Sequence, residues 1–479
     1  MFFSVYTLGC KLNQLESEAI ADSFFRQGFT FLGRPSAGGT NPGVAPDIVI
    51  VNTCTVTSMA DQKGRRIIRK LLRDYPGACL IVTGCYAQME KAALSALEEA
   101  RSGRLFVIPG QIKDRIMDLP RFLAAQGQGS FPELIESWLS ANGAGEENGA
   151  FRFSPERFSS HSRSFLKIQD GCDHSCAYCR VSLARGKSRS LGAREILWRL
   201  ITLEQQGYAE AVLTGVNISQ YSDPGLALAG LPDLLDFLLR ETGTIRLRLS
   251  SIEPDMFAAE SGAGAFFQVV ENQRIRPHFH FSLQSGSAAI IAKMGRSYTP
   301  GAVEKTIETI RSIRQDPFLA CDIIAGFPGE TEKEFGSTME LCEKTGFSWI
   351  HAFPFSPRPG TAACDFAGKV SEREATKRVE LLTDLARKGR RDYLRRWEGK
   401  EVEAIAEVSV PGKSPQDGYF PALSENYLKL FVHSGNEPVP APGALLKCRI
   451  LKGEELSRIA PHSAPQPAAQ FDAWAEKTG

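Results

Sequence analysis

The chain has 479 residues, 43% hydrophobic and 23% charged, which fits a globular protein too long for one ordinary domain. A formal net charge of +1 excludes a global positive field for nucleic acid, so any RNA contact must come from local patches. No apolar run spans a bilayer, the start MFFSVYTLGCK lacks signal-peptide features, and the 11 cysteines point to metal or redox chemistry in a reducing compartment.

Residues 1–126 alternate strand and helix patterns, which predicts a parallel, Rossmann-like α/β sheet. The expected strands are 2–8, 47–53, 79–84 and 105–109. The first helix is expected over 14–26 with Asn13 as its N-cap. Cys10, Cys54 and Cys85 each lie just past the carboxyl end of a strand. In an open parallel sheet those ends share one edge, where ligands bind, so the three thiols can converge. Cys79 begins its strand and reads as core. The Gly/Pro-rich stretch 33–46 reads as a surface insertion.

Residues 127–163 read as an interdomain linker with a short helix at 131–139. Over 164–398, six strands are expected at 165–169, 211–214, 245–250, 279–283, 319–325 and 349–353. Helices such as 193–206, 232–242 and 302–314 separate them. Six β/α units predict an open (βα)6 barrel with its chemistry at the carboxyl ends of the strands. After the first strand comes Cys172-x3-Cys176-x2-Cys179. A closed zinc site takes four ligands, and His174 lies inside the loop, badly placed to be the fourth. Three thiolates on an iron–sulfur cube leave one iron open for a small molecule. Asp, His and Ser around the cysteines argue against a merely buried trio.

Other polar or Gly-rich positions at the strand ends are Asn217, Ser251, Glu253, Gln284, Asp322 and Gly326. Gly326 reads as a close backbone approach, and Glu330 as a possible helix-capping acid. Arg185, Lys187 and Arg189 are candidates for phosphate or a substrate carboxylate. Cys321, Cys342 and Cys364 lack partner spacing and read as inert. The helix expected over 371–398 ends in a basic cluster of Arg387, Lys388, Arg390, Arg391, Arg395 and Arg396, the best local RNA footprint, with a solvated helix face as the alternative. Residues 399–460 read as short strands at 402–408, 426–432 and 445–451. The Pro/Ala-rich residues 461–479 read as a disordered tail.

The cysteine loop, with Tyr178 before its third cysteine, resembles the radical S-adenosylmethionine (SAM) enzymes. TLGCKLNQLES at 7–17, NTCTVT at 52–57, TGCYAQ at 83–88, ARGKSRS at 184–190, LQSGS at 283–287, MGRSYT at 294–299 and IAGFPGET at 324–331 resemble the methylthiotransferases. LSENYLKLFV at 423–432 resembles their small oligonucleotide-binding-like β-barrel, the TRAM domain. The resemblance implies two 4Fe–4S clusters. Catalytic Cys172, Cys176 and Cys179 would hold one, and Cys10, Cys54 and Cys85 the other. SAM would serve as methyl donor and radical source, with Tyr178 and the strand-end groups as its contacts. The implied partners are tRNA and an electron donor such as flavodoxin or ferredoxin, with no membrane or DNA partner, in the cytoplasm. TLGCKLNQLE looks most like the branch that methylthiolates C2 of N6-threonylcarbamoyladenosine at tRNA position 37. The alternatives are a sibling acting on isopentenyladenosine of tRNA or on a ribosomal-protein aspartate, a non-catalytic iron–sulfur RNA-binding redox sensor, and an α/β protein with structural zinc.

Overall fold

The run IVIVNT at 48–53 is apolar on both faces, as a strand covered on two sides must be. In a computed structural model, which describes residues 1–33, 35, 44–97, 103–126, 129–141, 149–155, 163–257, 260–408, 419–435, 437–452, 455 and 472–478, it is the centre of a five-stranded sheet. The strands are β1 (Phe2–Thr7), β2 (Thr30–Phe31), β3 (Ile48–Thr53), β4 (Cys79–Gly84) and β5 (Leu105–Val107). They run in the order β2-β1-β3-β4-β5, and every pairing is parallel. Because successive side chains alternate faces, Ile48 and Ile50 join Ile20 and Phe24 of the helix Lys11–Arg26, while Val49 and Val51 meet Ile67, Ile68, Leu71 and Leu72 of the helix Ser58–Asp74. Each such side chain contributes about 1.5–3 kcal/mol on burial.

Three expectations change here. The first helix starts at Lys11 with Cys10 as its N-cap. Asn13 is therefore inside the helix, and its buried amide donates to Leu8 O at 2.7 Å and Thr53 O at 3.0 Å. The two-residue strand β2 carried too little pattern to be seen. The helix in the stretch read as a linker is Phe131–Ala141, and its Ile135 and Trp138 are buried in the same layer as Phe24, so this helix belongs to the core rather than to a spacer. Residues 34 and 36–43, most of the expected surface insertion, lie outside the described residues.

The chain continues through β6 (Ser164–Lys167) and a short antiparallel ladder of β7 (Gln169–Asp170) with β8 (Arg189–Ser190). Then come β9 (Glu210–Thr214), β10 (Arg246–Leu249), β11 (His278–Gln284), β12 (Phe318–Ala325) and β13 (Trp349–Pro354). They form two sheets, β10-β9-β6 and β11-β12-β13, linked by parallel bridges at Leu247–Ile275 and Ile252–Phe281. Six strands thus lie side by side in chain order, the arrangement of a partial (βα)6 barrel.

After the long helix Glu372–Trp397 follow β14 (Glu401–Ala406), β15 (Tyr419–Ser424), β16 (Lys429–His433), β17 (Leu445–Ile450) and β18 (Ala473–Lys477), closed into a barrel in the order β14-β15-β16-β18-β17. β18 corrects the reading of 461–479 as a disordered tail. It pairs parallel with β16 and antiparallel with β17. Ala473 and Ala475 enter the barrel core, while Trp474 packs on Phe431 with ring centroids 4.9 Å apart. The rest of that tail, 461–471 and 479, lies outside the described residues.

The contacts divide the chain into two units. Met1–Ser159, Lys167–Leu191 and Ser356–Cys364 form the first; Ser160–Leu166, Gly192–Phe355 and Asp365–Gly479 form the second. Among the described residues, no helix is long and apolar enough to cross a membrane.

Candidate metal centres

In the first unit, β1, β3 and β4 are neighbours and each runs into a cysteine. Thr7 pairs with Asn52, Asn52 with Thr83, and Thr53 with Gly84, so the turns bearing Cys10, Cys54 and Cys85 leave the sheet side by side. Two glycines make the crowding possible. Gly9 has φ +111°, and a Cβ there would lie 2.7 Å from Cys54 Cβ; Gly84 has φ +98°, and its Cβ would strike Thr53 O. Only glycine adopts such angles cheaply. Burial pushes the Cys54 thiol up to about 12, and the negative forms of Cys10 and Cys85 push in the same direction, which places the three sulfurs in mutual electrostatic reach. Cys10 is exposed, and Cys54 and Cys85 are half-buried. Among the described residues, no three Cys, His, Asp or Glu side chains already close on one point as a metal cage.

The second triad sits in a loop pinned at both ends within the same unit. Gln169 Nε2 donates to Asp170 O at 3.1 Å, Gly171 O at 2.7 Å and Ser188 Oγ at 2.9 Å. Cys172 N donates to Gly186 O, Ser188 N to Asp173 Oδ1, and Cys179 N to Cys176 O. Ala363 N donates to Ala177 O at 2.7 Å beside Tyr178. Cys172, Cys176, Cys179 and Tyr178 are all half-buried.

A buried charge network lies between these segments. Glu16, on the helix after Cys10, is fully buried and accepts from Lys113, from Lys167 Nζ at 3.3 Å and from Arg185 Nη1 at 3.0 Å. Asp170, just before the loop, accepts from Lys167 at 2.8 Å and Arg185 at 3.1 Å. Arg185, just after the loop, also donates to Asn13 Oδ1 at 3.0 Å. Burial alone would raise both carboxyls. The three cations outweigh it for Glu16, which is held well below its ordinary value, and Lys167 and Arg185 hold Asp170 at about 2. In turn, Glu16 first, then Cys85, Asp170 and Cys10, offset the burial cost of the Arg185 guanidinium and keep it charged.

This network corrects one expectation and adds four residues. Arg185 is already engaged by Glu16, Asp170 and Asn13, so of the basic trio only Lys187 and Arg189 remain on the surface. Both line a cavity of about 420 Å³ next to Cys85, together with Lys113, Asp114 and Phe153. Glu16, Lys113, Lys167 and Asp170 received no role from sequence. Glu16 lay inside the quoted stretch 7–17, and its i, i+3 spacing from Asn13 on one helix face was the available signal. Lys113 carried none.

In the second unit, the strand-end groups are largely occupied by internal contacts. Asn217 Oδ1 accepts from Ser219 N at 3.1 Å, Glu253 pairs with Arg296, and Asp322 Oδ1 lies 3.0 Å from His280 Nε2. Ser251 is half-buried, and Gln284 has φ +65°. The close approach at Gly326 is to the long helix, because a Cβ there would meet Ala375 Cβ at 2.6 Å. Glu330 is not the helix cap: it accepts from Gly326 N at 2.6 Å and Arg378 at 2.7 Å, while Thr331 and Glu334 form the capping box. Cys321 and Cys342, expected to lack partners, are buried and share a side-chain hydrogen bond, while Cys364 is half-buried. In the basic cluster, Arg390 is held by Asp472 at 2.7 Å and lies over Phe318, so it is withdrawn from the RNA footprint. Arg387, Lys388, Arg391, Arg395 and Arg396 are exposed.

A protein-family profile described as "Uncharacterized protein family UPF0004" matches residues 3–103, and the "Radical SAM superfamily" profile matches 166–342. The chain is 37% identical to the threonylcarbamoyladenosine tRNA methylthiotransferase MtaB of Treponema pallidum, over 93% of this chain and 97% of that one. The chain belongs to the MtaB family. It is also 34% identical to MtaB of Thermotoga maritima, over 89% of this chain and 90% of that one, and 30% identical to MtaB of Bacillus subtilis, over 93% of each. As an MtaB-family member it is an enzyme of the radical SAM methylthiotransferase class, whose cofactors are SAM and 4Fe–4S clusters.

Proposed function

We propose that this enzyme converts N6-threonylcarbamoyladenosine at tRNA position 37 to its 2-methylthio derivative. The observation that carries the reading is the 37% identity to the threonylcarbamoyladenosine tRNA methylthiotransferase of Treponema pallidum over 93% of this chain, and the Arg185 network, which ties both cysteine segments together within one packed unit, supports it. Cys172, Cys176 and Cys179 would hold one cluster, and Cys10, Cys54 and Cys85 the other. When bound, the clusters and SAM supply the electron, the radical, the sulfur and the methyl group. The donor set fits: two triads of half-buried or exposed thiols, each lacking a fourth cysteine.

The chain's own residues orient and shield. Gly9 and Gly84 let three strand ends crowd one edge. Glu16 and Asp170 fix the Arg185 guanidinium, whose charge offsets a part of the burial that raises the Cys54 thiol. The threonylcarbamoyl group carries a carboxylate, and Lys187 and Arg189 at the rim of the cavity beside Cys85 supply cations to receive it. The β14–β18 barrel is read as a TRAM domain that binds the tRNA. An electron donor such as flavodoxin or ferredoxin and a cytoplasmic location complete the reading.

Nucleoside mass spectrometry of tRNA from cells with and without the gene tests it. Loss of 2-methylthio-threonylcarbamoyladenosine alone is the expected result. Loss of a different methylthio product would move the enzyme to a sibling substrate. Anaerobic analysis finding zinc without sulfide would sink the iron–sulfur reading.

A further inference from the structure

The helix Ser58–Asp74 carries Lys63, Arg65, Arg66, Arg69, Lys70 and Arg73, a density of positive charge that a chain of net charge +1 shows in few places. Its two acids are engaged: Asp61 pairs with Arg358, and Asp74 with Lys70. Ile67, Ile68, Leu71 and Leu72 face the sheet, and this turns Arg66, Arg69 and Arg73 to the exposed side at i, i+3 and i+7. With Gln62 and Arg65 they line a groove of about 410 Å³ whose lining includes no carboxylate.

The groove is tied to the thiol edge. The helix starts at Ser58, shortly after Cys54, and Arg65 Nη1 donates to the hydroxyl of Tyr86, the residue after Cys85, at 2.8 Å. From that anchor the exposed arginines run along the helix away from the cysteines. At about 1.5 Å per residue, Arg66 to Arg73 spans ~10 Å, on the order of two to three phosphate-to-phosphate steps along one strand. Guanidinium groups in a row suit the phosphate oxygens of a nucleic-acid backbone better than isolated carboxylates.

We propose that Arg66, Arg69 and Arg73 form a docking surface for the RNA backbone, taking consecutive phosphates near the nucleotide presented at the Cys10–Cys54–Cys85 edge. This rests on the reading of tRNA as the substrate, and it gives the first unit an RNA contact of its own.

The test is tRNA binding by the anaerobically reconstituted full-length protein over a salt series, comparing wild type with the triple variant Arg66→Gln, Arg69→Gln and Arg73→Gln. Glutamine keeps the helix propensity and removes only exposed charge. Iron content and circular dichroism check that the variant is folded. The expected result is roughly tenfold or more weaker binding at low salt and a salt dependence shallower by about two to three contacts. Identical affinity and salt slope would overturn the proposal. So would unchanged tRNA binding with slower cluster reduction by reduced flavodoxin, which would assign the stripe to an acidic electron donor. If the wild-type protein itself bound no tRNA, the substrate reading would fail, and the stripe with it.

Discussion

Arg185 donates from Nη2 to the side-chain oxygen of Asn13 at 3.0 Å, across 172 residues of sequence. The same Asn13 fastens the turns before Cys10 and Cys54 through Leu8 O and Thr53 O. One guanidinium therefore braces the end of the Cys172–Cys179 loop against the edge that bears the other triad. Three cations, Lys113, Lys167 and Arg185, face two carboxylates, Glu16 and Asp170. The surplus positive charge lies beside Cys85 and Cys10.

Glu16→Gln keeps the shape of this network and removes its central charge. Lys113 and Lys167 would then be buried with Asp170 as the remaining carboxylate of the cluster. Breaking a buried ionic set in this way costs about 3–5 kcal/mol. Anaerobic urea unfolding should show that loss, together with lower iron content. Wild-type stability in the variant would mean that the network does not brace the site.

The two triads should separate by function. Cys176→Ala should abolish formation of 5′-deoxyadenosine from SAM, whereas Cys54→Ala should retain it and lose methylthiolation. Each variant should keep roughly half of the wild-type iron if each triad holds one cluster. Retained SAM cleavage in Cys176→Ala would contradict the assignment.

Glu210 supplies a pH dependence away from the cysteines. It is fully buried and accepts from Arg248 Nε at 2.6 Å and Arg276 Nε at 2.8 Å, with Arg163 at 3.9 Å; Arg276 also reaches Glu403 at 2.8 Å and Glu425 at 3.6 Å. Burial works to raise the Glu210 carboxyl, but Arg248 and Arg276 prevail and hold it at about 2, against an ordinary 4.5. A depressed carboxylate contributes stability above its unfolded value and loses it as pH falls through the folded one. On the order of 3 kcal/mol should therefore disappear between pH 4.5 and about 2. Unfolding of the metal-free protein against pH should show this acid limb in wild type and a flatter one in Glu210→Gln.

Trp474 tests the strand that closes the C-terminal barrel. It is buried against Phe431 and Tyr419. Trp474→Ala should cost about 3–5 kcal/mol, read as a lower denaturant midpoint for the second unit and faster proteolysis of the barrel. Unchanged resistance would show that β18 contributes little to closure.

Local spacing was enough for the cysteine loop, for the strands of the first sheet other than β2 and of the partial barrel to within a few residues, and for the placement of Cys10, Cys54 and Cys85 past strand ends. Such features repeat over a few residues, and a parallel sheet aligns its carboxyl ends whatever the loops contain. Partners joined over long distances were not readable. AWAEK at 473–477 is too short and too isolated by Pro/Ala-rich chain to announce a strand, and it becomes one because β16 and β17 leave unpaired edges for it. Arg185 looked like a ligand for phosphate because nothing near it in sequence shows that Glu16 and Asp170 meet it in space. Charge pairing in a folded interior is set by which side chains are buried together, and that depends on packing between segments more than 150 residues apart.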